Sequence, residues 1–376
     1  MATLEELREK LDGIDDQIAK LYEERMKVCE DVGRFKVGAG RKVFDRQREH
    51  EKLLDVASKV NGEFNKKGIQ ELYAQLMSMS RKLQYQQLVE AGALGRLPFI
   101  EMESLDAKNA RIVFPGTEGA YSQAATKDYF GENCNSFYVR TFREAMEAIE
   151  DGAADYAVLP IENSTAGSVD EMYDLLVEFE NYIVGETIIP IIHTLSGVPG
   201  AKLTDIERVY SKGVALMQAS HFLDDHSDWQ QISVANTAIA ARKIRDDKDQ
   251  AQAAVCSAYA AEVHGLEILE ENINDDQTNC TRFIVVTNQK VFLKHAQKIS
   301  ICLELPHESG SLYRLLSHFI YNDLNMTRIE SRPIEGKNWE YRFFIDFEGN
   351  MADPAVKNAI RGLREESRNM RILGNY

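Results

Sequence analysis

The sequence predicts a multidomain protein in which three kinds of fold follow one another: an all-α part, an α/β part and a small βαββαβ part. Three observations predict this. Apolar residues recur every three or four positions near the start, strands alternate with helices through the middle, and strand-type alternation returns near the end. Because 376 residues exceed one ordinary domain, we place boundaries at 1–91, 92–109 (a linker), 110–290 and 297–376.

Composition narrows the class of protein. The net charge of −16 argues against a nucleic-acid partner, although a local arginine cluster can still bind a small anion. The five cysteines are scattered and form no C-x-x-C pair, so we expect neither a disulfide framework nor a metal site. The opening "MATLEELREKL" is charged and amphipathic, and no apolar run is long enough for a bilayer. We therefore expect a cytoplasmic protein with no membrane partner.

The first part contains one unusually long helix. Its apolar positions follow a heptad pattern from Leu4 to Phe35, which corresponds to roughly 50 Å of helix. A shorter helix is predicted from Asp45 to Lys59, and a second apolar stripe runs from Ile69 to Leu83. A helix of that length cannot bury its stripe against itself. We therefore predict a three-helix unit completed by a second copy, and hence a homo-oligomer of at least two chains.

Arg25 interrupts the apolar stripe of the long helix. A guanidinium stays charged, so in a buried position it requires an anionic partner. An interhelical salt bridge, or a polar residue that sets the register, explains Arg25 by itself equally well. However, the three helices carry several further cations and few matching carboxylates. This excess favours an anionic ligand.

The stretches "LREKLDGIDDQIAKLYEERMKVCEDVGRFK", "VFDRQREHE" and "SMSRKLQ" resemble, in order, the helices of all-helical chorismate mutases. The resemblance implies an intertwined helical dimer that rearranges chorismate to prephenate. This intramolecular reaction needs the reactive conformer held and the charge on the ether oxygen stabilised. The resemblance also implies roles: Arg8 (from the partner chain) and Arg25 for the carboxylates, Lys36 and Gln84 for the ether oxygen, Glu49 for the hydroxyl, and Arg48, Asp45 and Ser80 in support.

The middle part repeatedly passes from a strand into a polar loop and a helix. The strand Arg111–Phe114 enters a glycine-bearing turn, "YAVLPI" enters "ENSTAGSV", and "RVYS" leads to a helix that carries Gln218. The steps "SVANTAIAA" and "AAVCSAYAA" are similar. This alternation predicts a parallel sheet with its loops at one edge. A single serine or threonine there is most simply a helix N-cap, but four such loops favour a polar cleft.

The stretch "DDQTNCTRFIVVTN" places Thr281 and Arg282 just before a predicted buried strand, Phe283–Val286. Threonine favours strands, and an arginine at a strand end is usually solvated, so a purely structural interpretation exists. However, "GTEGAYSQAA", "PIENSTAGSV", "NTAIAA" and "NCTRF" together resemble prephenate dehydratases over residues 110–290. That resemblance implies two α/β lobes with a cleft between them.

The dehydratase reaction forms an aromatic ring, so it requires no metal or cofactor. It requires a donor at the leaving hydroxyl and anchors for two carboxylates, and the resemblance makes Thr281 the donor. Because successive side chains along a strand point to opposite faces, Thr281 and Arg282 are not expected to share a pocket. The predicted cleft residues are Ser122, Asn163, Ser164, Thr165, Thr237, Asn279 and Arg282.

The last part has the βαββαβ order of a ferredoxin-like unit, which could be purely structural. Its stretches "ESGSLYRLL" and "RIESRP" resemble the two motifs of the ACT domain that accompanies prephenate dehydratases. That family binds phenylalanine at a dimer interface, which implies allosteric feedback inhibition. The implied effector residues are Gly310, Leu312, Glu330, Ser331, Arg332 and Pro333.

The three resemblances together predict a bifunctional enzyme of phenylalanine biosynthesis. Its partners are then chorismate, prephenate and phenylalanine. One alternative is a pure amino-acid sensor whose helices serve only for dimerisation, and another is an enzyme with one of the two activities. Arg25 and Thr281 argue against the sensor, because a dimerisation arm needs no buried arginine and a sensor needs no hydroxyl donor.

Overall fold

The computed structural model describes residues 2–91 and 97–376, without the side chain of Val89. Residues 92–96, which belong to the predicted linker, lie outside the described residues. The chain divides into two compact units. The first contains Met1–Pro98 and Ile301–Arg371, and the second contains Phe99–Ser300 and Ile372–Tyr376. The helical part and most of the C-terminal part, which the sequence predicted as separate domains, therefore cluster together.

Three helices form the N-terminal part of the first unit: α1 (Leu4–Gly38), α2 (Arg46–Ser58) and α3 (Glu63–Glu90). Thr3 caps α1 in a capping box: its side chain accepts from the Glu6 backbone N–H, and the Glu6 carboxylate accepts from the Thr3 backbone N–H. Asp45 caps α2 by accepting from the Arg48 backbone N–H at 3.0 Å. The predicted three-helix arrangement is confirmed.

The second unit holds the α/β part. Its elements are β1 (Ile100–Met102), β2 (Arg111–Pro115), α4 (Tyr121–Phe130), β3 (Asn135–Val139), α5 (Phe142–Glu150), β4 (Tyr156–Asn163), β5 (Gly167–Ser168), α6 (Asp170–Glu178), β6 (Tyr182–Pro190), β7 (Thr194–Gly197), β8 (Arg208–Ser211), α7 (Gly213–Met217), α8 (Ser220–Asp224), β9 (Gln230–Ser233), α9 (Thr237–Asp247), β10 (Gln252–Cys256), α10 (Ala258–His264), β11 (Glu267–Glu270), β12 (Cys280–Thr287) and β13 (Val291–Leu293).

The strands of the second unit form two main sheets. One has the order β6-β12-β4-β2-β3, and the other has the order β11-β7-β10-β8-β9. The prediction of a parallel sheet is only partly right. Some neighbours are parallel: β2 with β3 and β4, and β8 with β9 and β10. Others are antiparallel: β12 with β4 and β6, and β7 with β10 and β11. The chain leaves the first sheet along β6 and returns along β12, which is why these neighbours run in opposite directions.

Two predicted boundaries differ from the structure. The segment 92–109 was predicted to lack regular structure, but Ile100–Met102 forms β1 and pairs in parallel with β13. The strand predicted at Phe283–Val286 begins earlier, at Cys280, so Thr281 lies within β12. In both cases a partner strand provides backbone hydrogen bonds that local sequence does not predict.

The C-terminal elements are β14 (Lys298–Glu304), α11 (Ser311–Ile320), β15 (Met326–Pro333), β16 (Tyr341–Glu348), α12 (Pro354–Glu366) and β17 (Asn369–Asn375). This is the predicted element order, and the strands are arranged as β15-β16-β14-β17. Strand β15 is therefore an edge strand, and its residues alternate between half-buried and exposed. No helix in the described ranges is long and apolar enough to cross a membrane.

Candidate functional site

Arg25 lies between α1 and α3. Its Nη1 donates to Ser80 Oγ at 2.6 Å and to the Leu76 carbonyl at 3.1 Å, and it lies 3.8 Å from Cys29 Sγ. All of these partners are neutral. The salt bridge that could have explained Arg25 structurally is absent from the residues described. A half-buried guanidinium without a counter-charge leaves a site that favours an anion.

Lys36 and Gln84 lie further along the same helix pair. The Lys36 ammonium donates to the Val43 carbonyl at 2.6 Å, and burial lowers its pKa, with Asp45 and Glu49 opposing this effect. Gln84 is 6% exposed, and its Oε1 meets no hydrogen-bond donor within the described part of the chain. The helices approach closely here because of Gly33: a Cβ at that position would lie 3.0 Å from Gln84 Cγ. Both side chains are thus withdrawn from water, Lys36 in part and Gln84 almost fully.

The Glu49 carboxylate is already paired within the first unit. Its carboxylate forms a short ion pair with Arg81, whose other nitrogen, Nη2, lies 2.5 Å from Oε1 of Glu366 on α12. Burial opposes the charged form of Arg81, but the two carboxylates outweigh it and raise its pKa. His318 Nε2 lies 3.3 Å from the same Glu366 oxygen. Arg81 lies within "SMSRKLQ" but was not predicted as a site residue from the sequence.

Lys82 and Tyr85 extend the polar contact between α3 and the C-terminal helices. Lys82 Nζ donates to the Ser317 carbonyl at 3.1 Å and lies 3.5 Å from the centroid of the Tyr321 ring. Burial lowers the pKa of Lys82 to about 7. The Tyr85 hydroxyl donates a short hydrogen bond to Glu365. Three polar side chains of one helix segment therefore find their partners in the C-terminal part.

The remaining predicted mutase residues are exposed. Arg48 and Asp45 lie at the start of α2, and Asp45 is occupied as its N-cap. Arg8 is exposed on α1, and it stands about 25 Å from Arg25 along that helix at 1.5 Å per residue. One chain therefore does not bring Arg8 to the Arg25 cluster.

The apolar stripe beside Arg8 is also exposed in the single chain. Six side chains of this stripe are between 48% and 64% exposed: Leu4, Leu7, Leu11, Ile14, Ile18 and Leu21.

A cavity of about 670 Å³ does open beside Glu49, Arg81 and Glu366, but Arg25 and Gln84 do not line it. The Arg25 cluster therefore lies outside this cavity, on a helix whose apolar stripe from Leu4 to Leu21 is uncovered in the single chain.

Asn163 is the centre of the polar cluster in the second unit. It ends β4 opposite Thr281 of β12, so the two side chains share one face of the sheet. Its Nδ2 lies 2.8 Å from Asn279 Oδ1, 3.0 Å from the Cys280 carbonyl and 3.0 Å from Thr281 Oγ1. Ser164 joins them, because its Oγ accepts from the Cys280 backbone N–H at 3.0 Å.

Two groups in this cluster keep unused hydrogen-bonding capacity. Thr281 is 9% exposed, and the residues described offer no acceptor for its own hydroxyl hydrogen. Asn279 is 2% exposed, and its Nδ2 finds no acceptor in the same part of the structure. The cluster can therefore donate hydrogen bonds to a ligand. No group of histidine, cysteine or carboxylate side chains among the described residues has the arrangement of a metal site.

The cluster continues across to the second sheet. Thr165 Oγ1 lies 2.8 Å from Asn163 Oδ1, and Gln218 Nε2 lies 2.8 Å from Thr165 Oγ1. Gln218 Oε1 is in turn 3.1 Å from His193 Nε2, and His193 Nδ1 is 3.2 Å from the Tyr121 hydroxyl. From the sequence, Gln218 was placed on a predicted helix but given no role, and His193 and Tyr121 were not predicted as site residues.

The structure leaves three predicted cleft residues apart from this cluster. Ser122 Oγ donates to the Pro115 carbonyl at 2.5 Å, and Thr237 is buried at the start of α9; within the described residues no hydrogen bond joins either to Thr281. Arg282 points to the opposite face of β12, where it lies 3.3 Å from both Glu162 and Glu186. The alternation of side chains along the strand separates Arg282 from Thr281.

The predicted effector residues lie on two elements of the C-terminal part. Gly310 precedes α11 with φ +77°, a conformation that glycine adopts without steric cost, and Leu312 is 36% exposed in the first turn. The other four lie on the edge strand β15: Glu330, Ser331, Arg332 and Pro333. Glu330 Oε2 is 3.3 Å from Arg328 Nη2.

Known proteins match both parts of the chain. The chorismate mutase type II family model matches residues 7–85, and the prephenate dehydratase family model matches residues 112–291. The bifunctional chorismate mutase/prephenate dehydratase of Aquifex aeolicus (strain VF5) is 31% identical, across 100% of this chain and 98% of its own length. The one from Stutzerimonas stutzeri is 30% identical, across 99% and 97%.

A solved structure supports the second match. Prephenate dehydratase from Arthrobacter aurescens, in complex with L-Phe, is 32% identical with a TM-score of 0.66, and the match covers 71% of this chain and 89% of that one. The predicted resemblance to both enzyme families is thus confirmed, and the chain is an enzyme with a chorismate mutase and a prephenate dehydratase domain. The chain belongs to the family of bifunctional chorismate mutase/prephenate dehydratases.

Proposed function

We propose that the chain converts chorismate to prephenate with its helical domain (1–91) and prephenate to phenylpyruvate with its α/β domain (110–290). A C-terminal ACT domain (297–376) binds phenylalanine and inhibits the enzyme. One observation carries the mutase half. Arg25 is half-buried with neutral partners, so it is available to a substrate carboxylate.

The mutase acts by binding the reactive conformer of chorismate and stabilising charge on its ether oxygen. Lys36 and Gln84 donate hydrogen bonds to that oxygen from the other end of the cluster. Glu49 takes the substrate hydroxyl after its carboxylate exchanges Arg81 for the ligand. Arg48, Asp45 and Ser80 support these groups, and Ser80 does so through its 2.6 Å hydrogen bond with Arg25.

The mutase site is completed by a second chain. Arg8 lies too far along α1 to reach the Arg25 of its own chain, and the stripe next to it exposes six leucine and isoleucine side chains. Pairing with a second α1 covers this stripe and delivers the partner's Arg8 to the second substrate carboxylate. The functional form is therefore a homo-oligomer of at least two chains.

The dehydratase half rests on Thr281, whose oxygen accepts from Asn163 while its hydrogen is unused. That hydrogen is donated to the ring hydroxyl of prephenate. The ring C–O bond and the bond to the ring carboxylate then break. The electron pair of the second bond completes the aromatic ring, the carboxylate leaves as CO2, and the departing hydroxide takes one proton, ultimately from solvent, and leaves as water.

The anchors for prephenate come from this cluster and from two nearby helix starts in the same domain. The unpaired Asn279 amide N–H, together with Ser164 and Thr165, contacts the polar groups of the substrate. Ser122 and Thr237 lie at the starts of helices α4 and α9, where backbone N–H groups attract a carboxylate. Arg282 acts from the other face of β12 by stiffening the strand through its ion pairs with Glu162 and Glu186.

Regulation by phenylalanine rests on the C-terminal element order and on a relative that is solved with L-Phe. Gly310 and Leu312 contact the amino acid from one side. Glu330, Ser331, Arg332 and Pro333 line the other side, on a β15 edge that a second copy can approach. The residues of this effector site differ from those proposed for both active sites, as allosteric inhibition requires.

The test is to give purified protein chorismate, with and without phenylalanine, and to measure chorismate loss and phenylpyruvate formation separately. We expect phenylpyruvate to form and phenylalanine to suppress it. Accumulation of prephenate would contradict the dehydratase half. Intact chorismate together with consumption of added prephenate would contradict the mutase half, and an unchanged rate with phenylalanine would contradict the regulatory part.

A further inference from the structure

The backbone around Asn163 determines the direction of its side-chain amide. Oδ1 accepts from the backbone N–H groups of Thr165 at 3.1 Å and Ala166 at 2.8 Å. A backbone N–H can only donate, so Oδ1 and Nδ2 cannot be exchanged. Nδ2 therefore points toward Thr281 Oγ1, 3.0 Å away, as a donor. The Thr281 oxygen is an acceptor in this contact, and its hydrogen remains for another group.

The donors and acceptors of the next hydrogen bonds, from Asn163 toward His193, can be assigned in the same way. Asn163 Oδ1 can only accept, so the Thr165 hydroxyl, 2.8 Å away, donates to it. The Thr165 oxygen must then accept from Gln218, and Nε2 of that amide lies 2.8 Å away. Gln218 Oε1 consequently faces His193, and the His193 Nε2 at 3.1 Å must carry a hydrogen. Each donor in the series points toward Asn163.

His193 is held firmly at the start of this series. It is 1% exposed and lies between β6 and β7, where the chain first passes from one sheet to the other. Its backbone N–H donates to Asn274 Oδ1 at 2.5 Å, and its carbonyl accepts from Ile273 at 3.0 Å. Burial lowers the pKa of His193, with the hydrogen bond to Gln218 opposing this in part, so the ring is neutral at pH 7. The Tyr121 hydroxyl lies 2.7 Å from the Ile192 carbonyl and 3.2 Å from His193 Nδ1, and its one hydrogen can be donated to either acceptor.

We propose that neutral His193, with its hydrogen on Nε2, is a positioning residue for the dehydratase reaction. It holds the Gln218 amide in one orientation. Gln218 then donates to Thr165, whose hydroxyl donates to Asn163 Oδ1 and so helps to hold the amide that donates to Thr281. The inference rests on the proposed role of Thr281 and adds the residue that supports Asn163 from the outer end of the series. His193 acts through these neighbours and does not itself need to contact the substrate.

A matched pair of substitutions tests this. A glutamine at position 193 can place an amide N–H where Nε2 now lies, whereas an asparagine is one carbon shorter and cannot. We expect His193→Asn to lower dehydratase kcat roughly 10- to 100-fold, the size expected when a buried group loses its hydrogen-bond partner, with KM nearly unchanged. His193→Gln should retain most of kcat. Equal losses of kcat in the two variants, or a change in KM alone, would overturn the proposal.

A double variant provides a second measurement that does not depend on the fit of glutamine. Gln218→Met interrupts the series at its next member, so adding His193→Asn to it should cause no further loss of kcat. Losses that multiply would mean that His193 acts by another route. Thermal unfolding of each variant, and its mutase activity, report whether the chain is still folded.

Thr281→Ala separates this inference from the function on which it rests. If dehydratase activity survives in Thr281→Ala, the proposed role of Thr281 is wrong and the His193 proposal is overturned with it. If Thr281→Ala is inactive while His193→Asn and His193→Gln behave alike, only the His193 proposal is overturned.

Discussion

The two candidate active sites satisfy their polar groups in different ways. In the helical domain, Arg25 has only neutral partners within the described residues, Gln84 Oε1 has no donor there, and Arg8 is exposed. In the α/β domain, hydrogen bonds run without interruption from His193 to Asn163 inside one chain. One site is charged and incomplete, whereas the other is neutral and nearly complete.

This difference follows from the two reactions. Rearrangement of a dicarboxylate requires cations that are not neutralised by the protein, and these are difficult to bury in one chain because each costs solvation energy. In the oligomer that we propose, the second chain supplies part of the site, which avoids that cost until the chains assemble. Loss of water with aromatisation requires one well-oriented neutral donor, which a network of hydroxyl and amide groups can provide within a single chain.

The largest effect is expected in the neutral site. Thr281→Ala should lower dehydratase kcat by about 10²- to 10⁴-fold, the usual contribution of a positioned proton donor, and leave mutase activity unchanged. Phenylpyruvate formation from added prephenate measures this. Thr281→Ser is the matched control, because it retains the hydroxyl and should keep much more activity. An unimpaired alanine variant would remove Thr281 from the mechanism.

The next largest effect concerns the charged first unit. Arg81→Met should lower the free energy of unfolding by about 3–5 kcal/mol, because it leaves the carboxylates of Glu49 and Glu366 without their shared cation. Urea unfolding followed by circular dichroism measures this. Lys66→Met breaks an exposed pair with Glu63 and should cost no more than about 1 kcal/mol. Similar shifts in both variants would mean that the Arg81 pairs contribute no more than surface pairs.

Removing the uncompensated cation tests the mutase side of the comparison. Arg25→Ala should lower mutase kcat/KM by about 10²- to 10³-fold, in line with the loss of one strong donor to a charged group. Dehydratase activity with added prephenate should survive, because the hydrogen-bond partners of Arg25 all lie in the helical domain. Equal loss of both activities would show that the two domains do not function separately.

The smallest effect is a pH dependence that originates at Lys82. Its pKa of about 7 in the folded chain lies below its ordinary value of 10.5, so between these values the folded chain binds fewer protons than the unfolded chain. The free energy of unfolding should therefore rise with pH across that window, by at most ~1.4 kcal/mol per pH unit, compared with Lys82→Met. Urea unfolding of both proteins at pH 7, 8 and 9 measures the difference. A constant difference would mean that Lys82 keeps its charge in the folded chain.

Much of the helical domain could be predicted from the sequence. The heptad pattern predicted α1 to within a few residues, because a helix repeats locally and its N-cap is a local signal. Arg25 was noticeable for the same reason, as one cation on an apolar stripe. Arg81 was not noticeable in the sequence, because its partners Glu49 and Glu366 lie 32 and 285 residues away. A cation on a helix with no carboxylate nearby in the sequence is usually a solvated residue.

The α/β domain shows the same limit at its site. The polar loops that carry Asn163, Thr165 and Thr281 were predicted, since their residue types stand out beside buried strands. His193 in "PIIHTL" was not, because a lone histidine between apolar residues gives no local sign of a partner. Arg282 was predicted as a cleft residue, although the alternation of side chains along a strand already argued that it does not share a pocket with Thr281, and in β12 the two side chains lie on opposite faces.

The sequence by itself determined the three parts of the chain, the long first helix, the strand-to-loop steps and the identities of most polar site residues. These depend on residue type and on spacing over a few residues. Only the tertiary structure decided that the sheets are mixed, that Glu49 is held by Arg81, and that His193 begins the series ending at Thr281. These depend on which distant segments pack together. Once that packing excludes water, a buried donor must pair with an acceptor inside the protein.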